Sequence, residues 1–235
     1  MRNITALSSS DLLRHLRAID ITVPPRTEGR TKQHTETWSI CRFLATYADS
    51  SLLRYPLRLD CGDRPDFQLA ISTVRIGIEV TEAVAADLAW ADAIQERDEI
   101  DSARMFQRVL PGDPRLTRGE VEKIARGETL GDGWEGDSVE HDWADVMAHF
   151  TRRKAERFAQ PGFTRLDINW LLVYDNWELP AVNQAKAATI FQSWLVSLKG
   201  SVPFDQIFVE CRDNFWQFSL PHHQSHPLRD LWSDG

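Results

Sequence analysis

The chain has little cysteine: Cys41, Cys61 and Cys211 are three residues in 235, odd in number and widely separated. That spacing argues against a disulfide framework and for a reducing compartment. No apolar run approaches the roughly 20 residues that span a bilayer, and the first ten residues lack the apolar stretch of a secretory signal. A soluble, cytoplasmic protein without a membrane partner is expected. A Walker-type loop, a dinucleotide fingerprint and a Gly-x-Ser-x-Gly elbow are also missing, which removes three common routes to nucleotide or acyl chemistry. Internal repeats and low-complexity tracts are absent. So is excess positive charge: 27 Lys and Arg against 35 Asp and Glu give a net charge of −8. A protein that coats nucleic acid non-specifically needs a basic surface, and this composition argues against one.

What is present is an ordinary globular composition, 42% hydrophobic and 26% charged, in a length that suits one elaborated domain over residues 1–235. Acidity does not exclude a nuclease, because carboxylates gathered to hold a metal ion are themselves negative and a local basic strip can track one phosphate backbone. Two such strips occur, Arg26, Arg30 and Lys32 early in the chain and Arg152, Arg153, Lys154 and Arg157 later. A solvated helix face is the commoner reading of either strip.

Hydrophobic spacing predicts a helix from Ser8 to about Ile19, stopped by Pro24 and Pro25, and a second from His34 to Ala48. Three alternating runs follow, Leu57 to Cys61, Asp66 to Ile71 and Val74 to Thr81, separated by turn residues, and they predict an antiparallel meander. From Glu82 to Phe106 the absence of Gly and Pro predicts one long helix. Residues 111–141 are irregular apart from a helical piece around Arg118 to Arg126, and they read as a mobile insertion. A helix from Trp143 to Ala159, a buried strand from Asn169 to Tyr174, a helix from Val182 to Leu198 and strands Asp205 to Cys211 and Asn214 to Leu220 complete an α/β fold with a mixed central sheet flanked by helices.

Side chains two apart on a strand share a face. Phe67, Leu69 and Ile71 therefore point one way and Asp66 and Gln68 the other, while Ile76, Ile78 and Val80 oppose Arg75, Glu79 and Thr81. Pairing the two strands through the turn at Ser72 and Thr73 brings Asp66 and Glu79 to the same polar face near the same end. Two adjacent carboxylates repel, so the pair calls for a raised pKa or a bound cation. A hard ion that keeps waters and takes one or two carboxylates, Mg²⁺ or Mn²⁺, is the natural occupant.

Pro65-Asp66, twelve residues, then Glu79-Val80-Thr81 at the end of an Ile-Gly-Ile strand resembles the PD-(D/E)XK nuclease superfamily, whose restriction-endonuclease-like core is a helix, a three-stranded meander, a helix and a further strand. The resemblance covers roughly residues 33–174. It implies a metal-dependent hydrolase that cuts phosphodiester bonds, of DNA ahead of RNA. Asp66 and Glu79 would be metal ligands assisted by the Val80 carbonyl, with Glu36 as the acidic residue of the preceding helix and Gln68 in support. Thr81 stands where the family usually has the lysine that positions water and offsets charge on the scissile phosphate. Lys154, ahead of Arg153 and Arg97, is the candidate to supply that cation. Arg30, Lys32, Arg75 and Arg153 are the expected nucleic-acid contacts. Loss of the lysine also admits an alternative, a catalytically inactive binding or regulatory module on the same fold, and a homodimer or protein partner is open.

Two further features have plainer readings. His222, His223 and His226 lie between Pro221 and Pro227 without a thiol or carboxylate cluster to complete a tetrahedral set, so they read as structural or tail residues. Most of the nine tryptophans belong to a core, with Trp134, Trp177 and Trp232 set in polar segments where a base or a protein could stack.

Overall fold

The computed structural model describes residues 3–198 and 200–233. Its frame is an eight-stranded mixed sheet in which spatial order follows chain order. Strand β1 (Ile4–Ala6) is followed by helices α1 (Ser9–Arg17) and α2 (Lys32–Tyr47), and then by β2 (Leu57–Cys61), β3 (Phe67–Ile71) and β4 (Val74–Ala83). Next come α3 (Ala86–Arg97), α4 (Arg118–Ala125), α5 (Ser138–Phe158), β5 (Ile168–Asp175) and α6 (Gln184–Ser197), and finally β6 (Gln206–Cys211), β7 (Asn214–Ser219) and β8 (His222–Pro227). The expected meander forms, with β2, β3 and β4 antiparallel. The pairs β4–β5 and β5–β6 are parallel, the second joined through α6 as a crossover requires. Among the described residues no helix is long and apolar enough to cross a membrane.

Alternation along the strands divides the core in two. Phe67, Leu69, Ile76, Ile78 and Val80 pack with Leu12 and Leu16 of α1 and Ile40, Phe43 and Leu44 of α2 on one face. Ala83, Leu171, Val173, Ile207 and Val209 pack with Trp143, Val146 and Met147 of α5 and Phe191 and Leu195 of α6 on the other. Phe43 anchors the first layer, its ring 4.8 Å from Phe208 and 4.9 Å from Tyr47, spacings at which tilted aromatic pairs attract beyond simple burial.

Helix starts are legible in local chemistry. Ser8 accepts the Asp11 N–H at the head of α1, and Thr117 forms a reciprocal capping box with Glu120 at the head of α4, each satisfying N–H groups that have no partner within the helix.

The long helix expected from Glu82 to Phe106 is not formed. Glu82 and Ala83 extend β4, paired with Tyr174 and Asp175 of β5, and the helix occupies only Ala86–Arg97. Good intrinsic propensity is outweighed by sheet pairing before it and by tethering after it. Beyond Arg97 the chain lies across the surface, held by Arg104 to Asp92 and Glu178 at 2.6 Å, Arg108 to Asp142 at 2.8 Å and Arg115 to Asp87 at 2.6 Å. The irregular 111–141 region contains α4, whose Val121, Ile124 and Ala125 pack on Leu88, Ala91 and Ile94 of α3 in a small third cluster.

Two strands at the sheet edges escape the sequence reading. β1 is three residues long. β8 carries the histidines, with His226 paired opposite Phe215 and His223 opposite Phe218, so they are edge-strand residues. Trp134 and Trp232 are structural as well, donating their indole N–H to Asp142 and to the Ile19 carbonyl, and Trp177 packs against Phe150.

Candidate functional site

Strand β4 changes partner along its length, and the site sits at the change. Its antiparallel pairing with β3 ends at Phe67 opposite Ile78, while its parallel pairing with β5 continues to Ala83. Past Ile78 the edge that faced β3 is open, and an unpaired buried backbone N–H is costly. Asp66, immediately before β3, covers it: its Oδ2 accepts the Val80 N–H at 2.8 Å.

Two close approaches hold Asp66 there. The Gly62 N–H donates to the Asp66 carbonyl at 2.9 Å, and a Cβ on Gly62 would lie 2.5 Å from the Pro65 carbonyl oxygen. Pro65 lies against Gly77 of β4, where a Cβ would come within 3.1 Å of the Pro65 ring and of the Asn169 side chain. The absence of a side chain at 62 and 77 lets the loop lie on the strand.

Glu79 projects from β4 to the α5 side, and there the side chains of Asp66 and Glu79 meet Lys154. The Lys154 Nζ is 2.7 Å from Glu79 Oε2 and 3.4 Å from Asp66 Oδ2. All three residues are about 6% exposed. A second ammonium approaches from the first turn of α2, where Lys32 Nζ donates to Asp66 Oδ1 at 2.8 Å and contacts Glu36. Unlike Lys154, the Lys32 side chain is 67% exposed.

The environments push the carboxyls apart. Burial acts to raise Asp66, but the Lys154 ammonium, the Lys32 hydrogen bond and the Val80 N–H outweigh it and hold the group below its ordinary value. Burial raises Glu79, with Lys154 opposing and the Asp66 charge adding to the rise. Burial likewise raises Glu36 against the pull of Lys32. Burial disfavours the Lys32 ammonium, yet its hydrogen bonds to Asp66 and Glu36 win and raise its pKa.

A divalent cation fits this donor set. Glu79 Oε1 is buried without a hydrogen-bond partner, close enough to Asp66 to feel its charge, and Mg²⁺ takes one or two carboxylates and completes its shell with water and phosphate. Among the described residues no three His, Cys, Asp or Glu side chains converge as a preformed metal cage.

Two hollows flank the carboxylates and share Lys32, Lys154 and Arg157. One, of about 380 Å³, is lined by Arg26, Arg30, Thr81 and Glu82 among others. The other, of about 220 Å³, is lined by Arg64, Asp66, Glu79, Gln160 and Phe163. Arg30 and Arg26 converge on one oxygen of Glu82 at 2.8 and 3.3 Å, so two guanidiniums share a single carboxylate. In a chain of net charge −8 this end of the sheet gathers cations.

Of the residues expected at the site, Asp66, Glu79, Lys154, Lys32 and Glu36 come together, with Thr81 and Arg30 on the wall of the larger hollow. Val80 contributes its N–H while its side chain lies in the core. Arg153 is next to Lys154 but faces a neighbouring hollow with Thr81 and Arg157. Gln68, opposite Asp60 and Gly77 in the sheet, lines neither hollow. Arg75 is exposed near the β3–β4 turn, where its backbone N–H donates to Asp167, and Arg97 pairs with Asp98. Both are away from the carboxylates. Arg157 was the residue most readily found in advance, since it lies three positions after Lys154 and shares its helix face. Gln160 and Phe163 carry no comparable signal.

No protein-family model, curated protein or solved structure matches this chain.

Proposed function

We propose that the protein is a metal-dependent nuclease that hydrolyses phosphodiester bonds of nucleic acid, DNA ahead of RNA, in the cytoplasm. The observation that carries this reading is the convergence of Asp66, Glu79 and Lys154 from three separate elements onto one point, with Lys154 Nζ within 2.7 and 3.4 Å of the two carboxylates. Support comes also from the order of a helix, a three-stranded antiparallel meander and a further parallel strand, which suits the PD-(D/E)XK resemblance, and from the three widely spaced cysteines.

In this reading Asp66 and Glu79 hold the divalent ion, with Glu36 beside them. When bound, Mg²⁺ or Mn²⁺ would polarise a phosphoryl oxygen and lower the pKa of an attacking water. The chain's own residues do the rest. Lys154 takes over the position left by Thr81: its ammonium, fixed by two buried carboxylates, offsets negative charge that develops on the phosphate. Arg157, exposed at the junction of both hollows and without a carboxylate partner among the described residues, contacts the phosphate. Lys32, whose largely exposed side chain holds Asp66 and Glu36, would also reach a phosphate of the nucleic-acid backbone at the mouth of the site. Arg26 and Arg30 bind the adjoining phosphates, where two cations over one carboxylate leave a positive surplus.

Purified protein incubated with single- and double-stranded DNA and Mg²⁺ or Mn²⁺ tests the reading. Cleavage that is lost in Asp66→Asn and Glu79→Gln supports it. Cleavage undiminished by both substitutions, or none by the wild type with either metal, sinks it.

A further inference from the structure

The smaller hollow differs in character from the larger. It is lined by the carboxylate pair and Lys154, by Asp63 and Arg64 of the loop before Asp66, and by Gln160 and Phe163 from the turn after α5. The Phe163 ring packs on Phe158 with centroids 4.5 Å apart and also lines the hollow. The turn is tied to the loop carrying Asp66, since the Thr164 N–H donates to the Arg64 carbonyl. An apolar ring, an amide and a guanidinium thus stand beside the site at which a phosphate would be cut.

We infer that this hollow is a nucleobase subsite, and that the substrate is a single DNA strand whose unpaired base enters it while the attached phosphate reaches Lys154 and Arg157. The inference rests on the nuclease reading above. At about 220 Å³ the space is smaller than the ~300–1,000 Å³ of pockets for drug-sized ligands, and it takes one ring system, not a stacked pair. A base has a π-face for Phe163 and edge groups for the two-way hydrogen bonding of Gln160. Access points the same way: Asp66, Glu79 and Lys154 are each about 6% exposed, so a phosphate must descend into the cleft. A flexible strand does this readily, whereas a duplex must first pay for unstacking and unpairing a base.

The test is binding without turnover, by fluorescence anisotropy in EDTA, of labelled oligothymidylate, an abasic strand of equal length and a duplex. Wild type should bind oligothymidylate more tightly than either of the others. Phe163→Leu, which keeps the apolar packing on Phe158, should weaken oligothymidylate roughly tenfold, within the range of base–aromatic stacking, and leave the abasic strand unchanged. Gln160→Ala, on the surface, should weaken oligothymidylate to a smaller degree with an unaltered melting temperature. Equal effects of Phe163→Leu on thymidylate and abasic strands, no effect on either, or a duplex bound as tightly as the single strand would overturn the subsite alone. Failure of the wild type to bind any of the three, in EDTA and again with Ca²⁺ in place of the catalytic ion, would remove the nucleic-acid reading along with it.

Discussion

Lys154 and Glu79 lie 75 positions apart in the chain and 2.7 Å apart in space, Nζ to Oε2, with both side chains more than nine-tenths buried. A helix that covers one face of the sheet thereby places a buried ammonium against the carboxylates at the strand ends.

Removing that cation should cost stability as well as activity. Lys154→Met leaves Asp66 and Glu79 facing each other without it, and breaking a buried ion pair on one side typically costs about 3–5 kcal/mol. The urea midpoint should fall accordingly, and cleavage should be lost. Adding Glu79→Gln to Lys154→Met removes one stranded charge and should recover part of the stability. A double variant less stable than the sum of the two single changes would contradict a direct pairing.

Lys32 should behave oppositely. Its ammonium touches Asp66 and Glu36 but its side chain is largely solvent-exposed, so it would compete with a divalent ion for the same oxygens at little structural cost. In Lys32→Gln, Mn²⁺ should raise the melting temperature more than it does in the wild type, by a few degrees at equal concentration. A smaller Mn²⁺ response in the variant would mean that Lys32 supports the ion and does not oppose it.

The loop that presents Asp66 should be sensitive to a single methyl group. In Gly62→Ala the new Cβ would lie 2.5 Å from the Pro65 carbonyl oxygen, a backbone clash that only movement of the loop relieves, at about 1–3 kcal/mol. Thermal denaturation should show this loss, and the Mn²⁺-induced shift should shrink as Asp66 moves. Gly77→Ala, with its closest approach at 3.1 Å, should do the same more mildly.

On the other face of the sheet, Glu210 makes stability depend on pH. Its Oε1 accepts from Arg42 Nε at 2.6 Å, yet burial, opposed by Arg42, pushes the carboxyl up from 4.5 to about 7. The folded state then holds this proton more firmly than the unfolded chain, so the contribution is full below 4.5 and is lost as pH rises through about 7. The stability of wild type relative to Glu210→Gln should therefore fall between about pH 4 and about pH 8, by ~3 kcal/mol at roughly 1.4 kcal/mol per pKa unit. A difference that stays level across this range would show that Glu210 keeps its ordinary pKa.

What the sequence by itself determined is whatever depends on neighbours along the chain. Strand alternation put Asp66 and Glu79 at one end of one polar face because side-chain direction repeats every two residues, and the helical spacing of Leu12, Leu13 and Leu16 and of Trp143, Val146 and Met147 marked the faces that are buried. The misread stretch was Glu82 to Phe106, where uniform helix propensity predicted one long helix and pairing with β5 and the ion pairs of Arg104 and Arg108 limit it to Ala86–Arg97. β1 and β8 were illegible because an edge strand pairs on one side, and three residues or a row of polar histidines carry little alternation. Lys154 was chosen from the sequence ahead of Arg153, its neighbour in the chain, but nothing in the local pattern fixes that choice. Which of the two turns inward follows from how α5 packs on the sheet, and that packing, with the loop from Gln160 to Phe163 and the early end of β3 that leaves Val80 to Asp66, belongs to the tertiary structure alone. Contacts between residues 75 and 88 positions apart depend on how whole elements are stacked, and no local pattern encodes that.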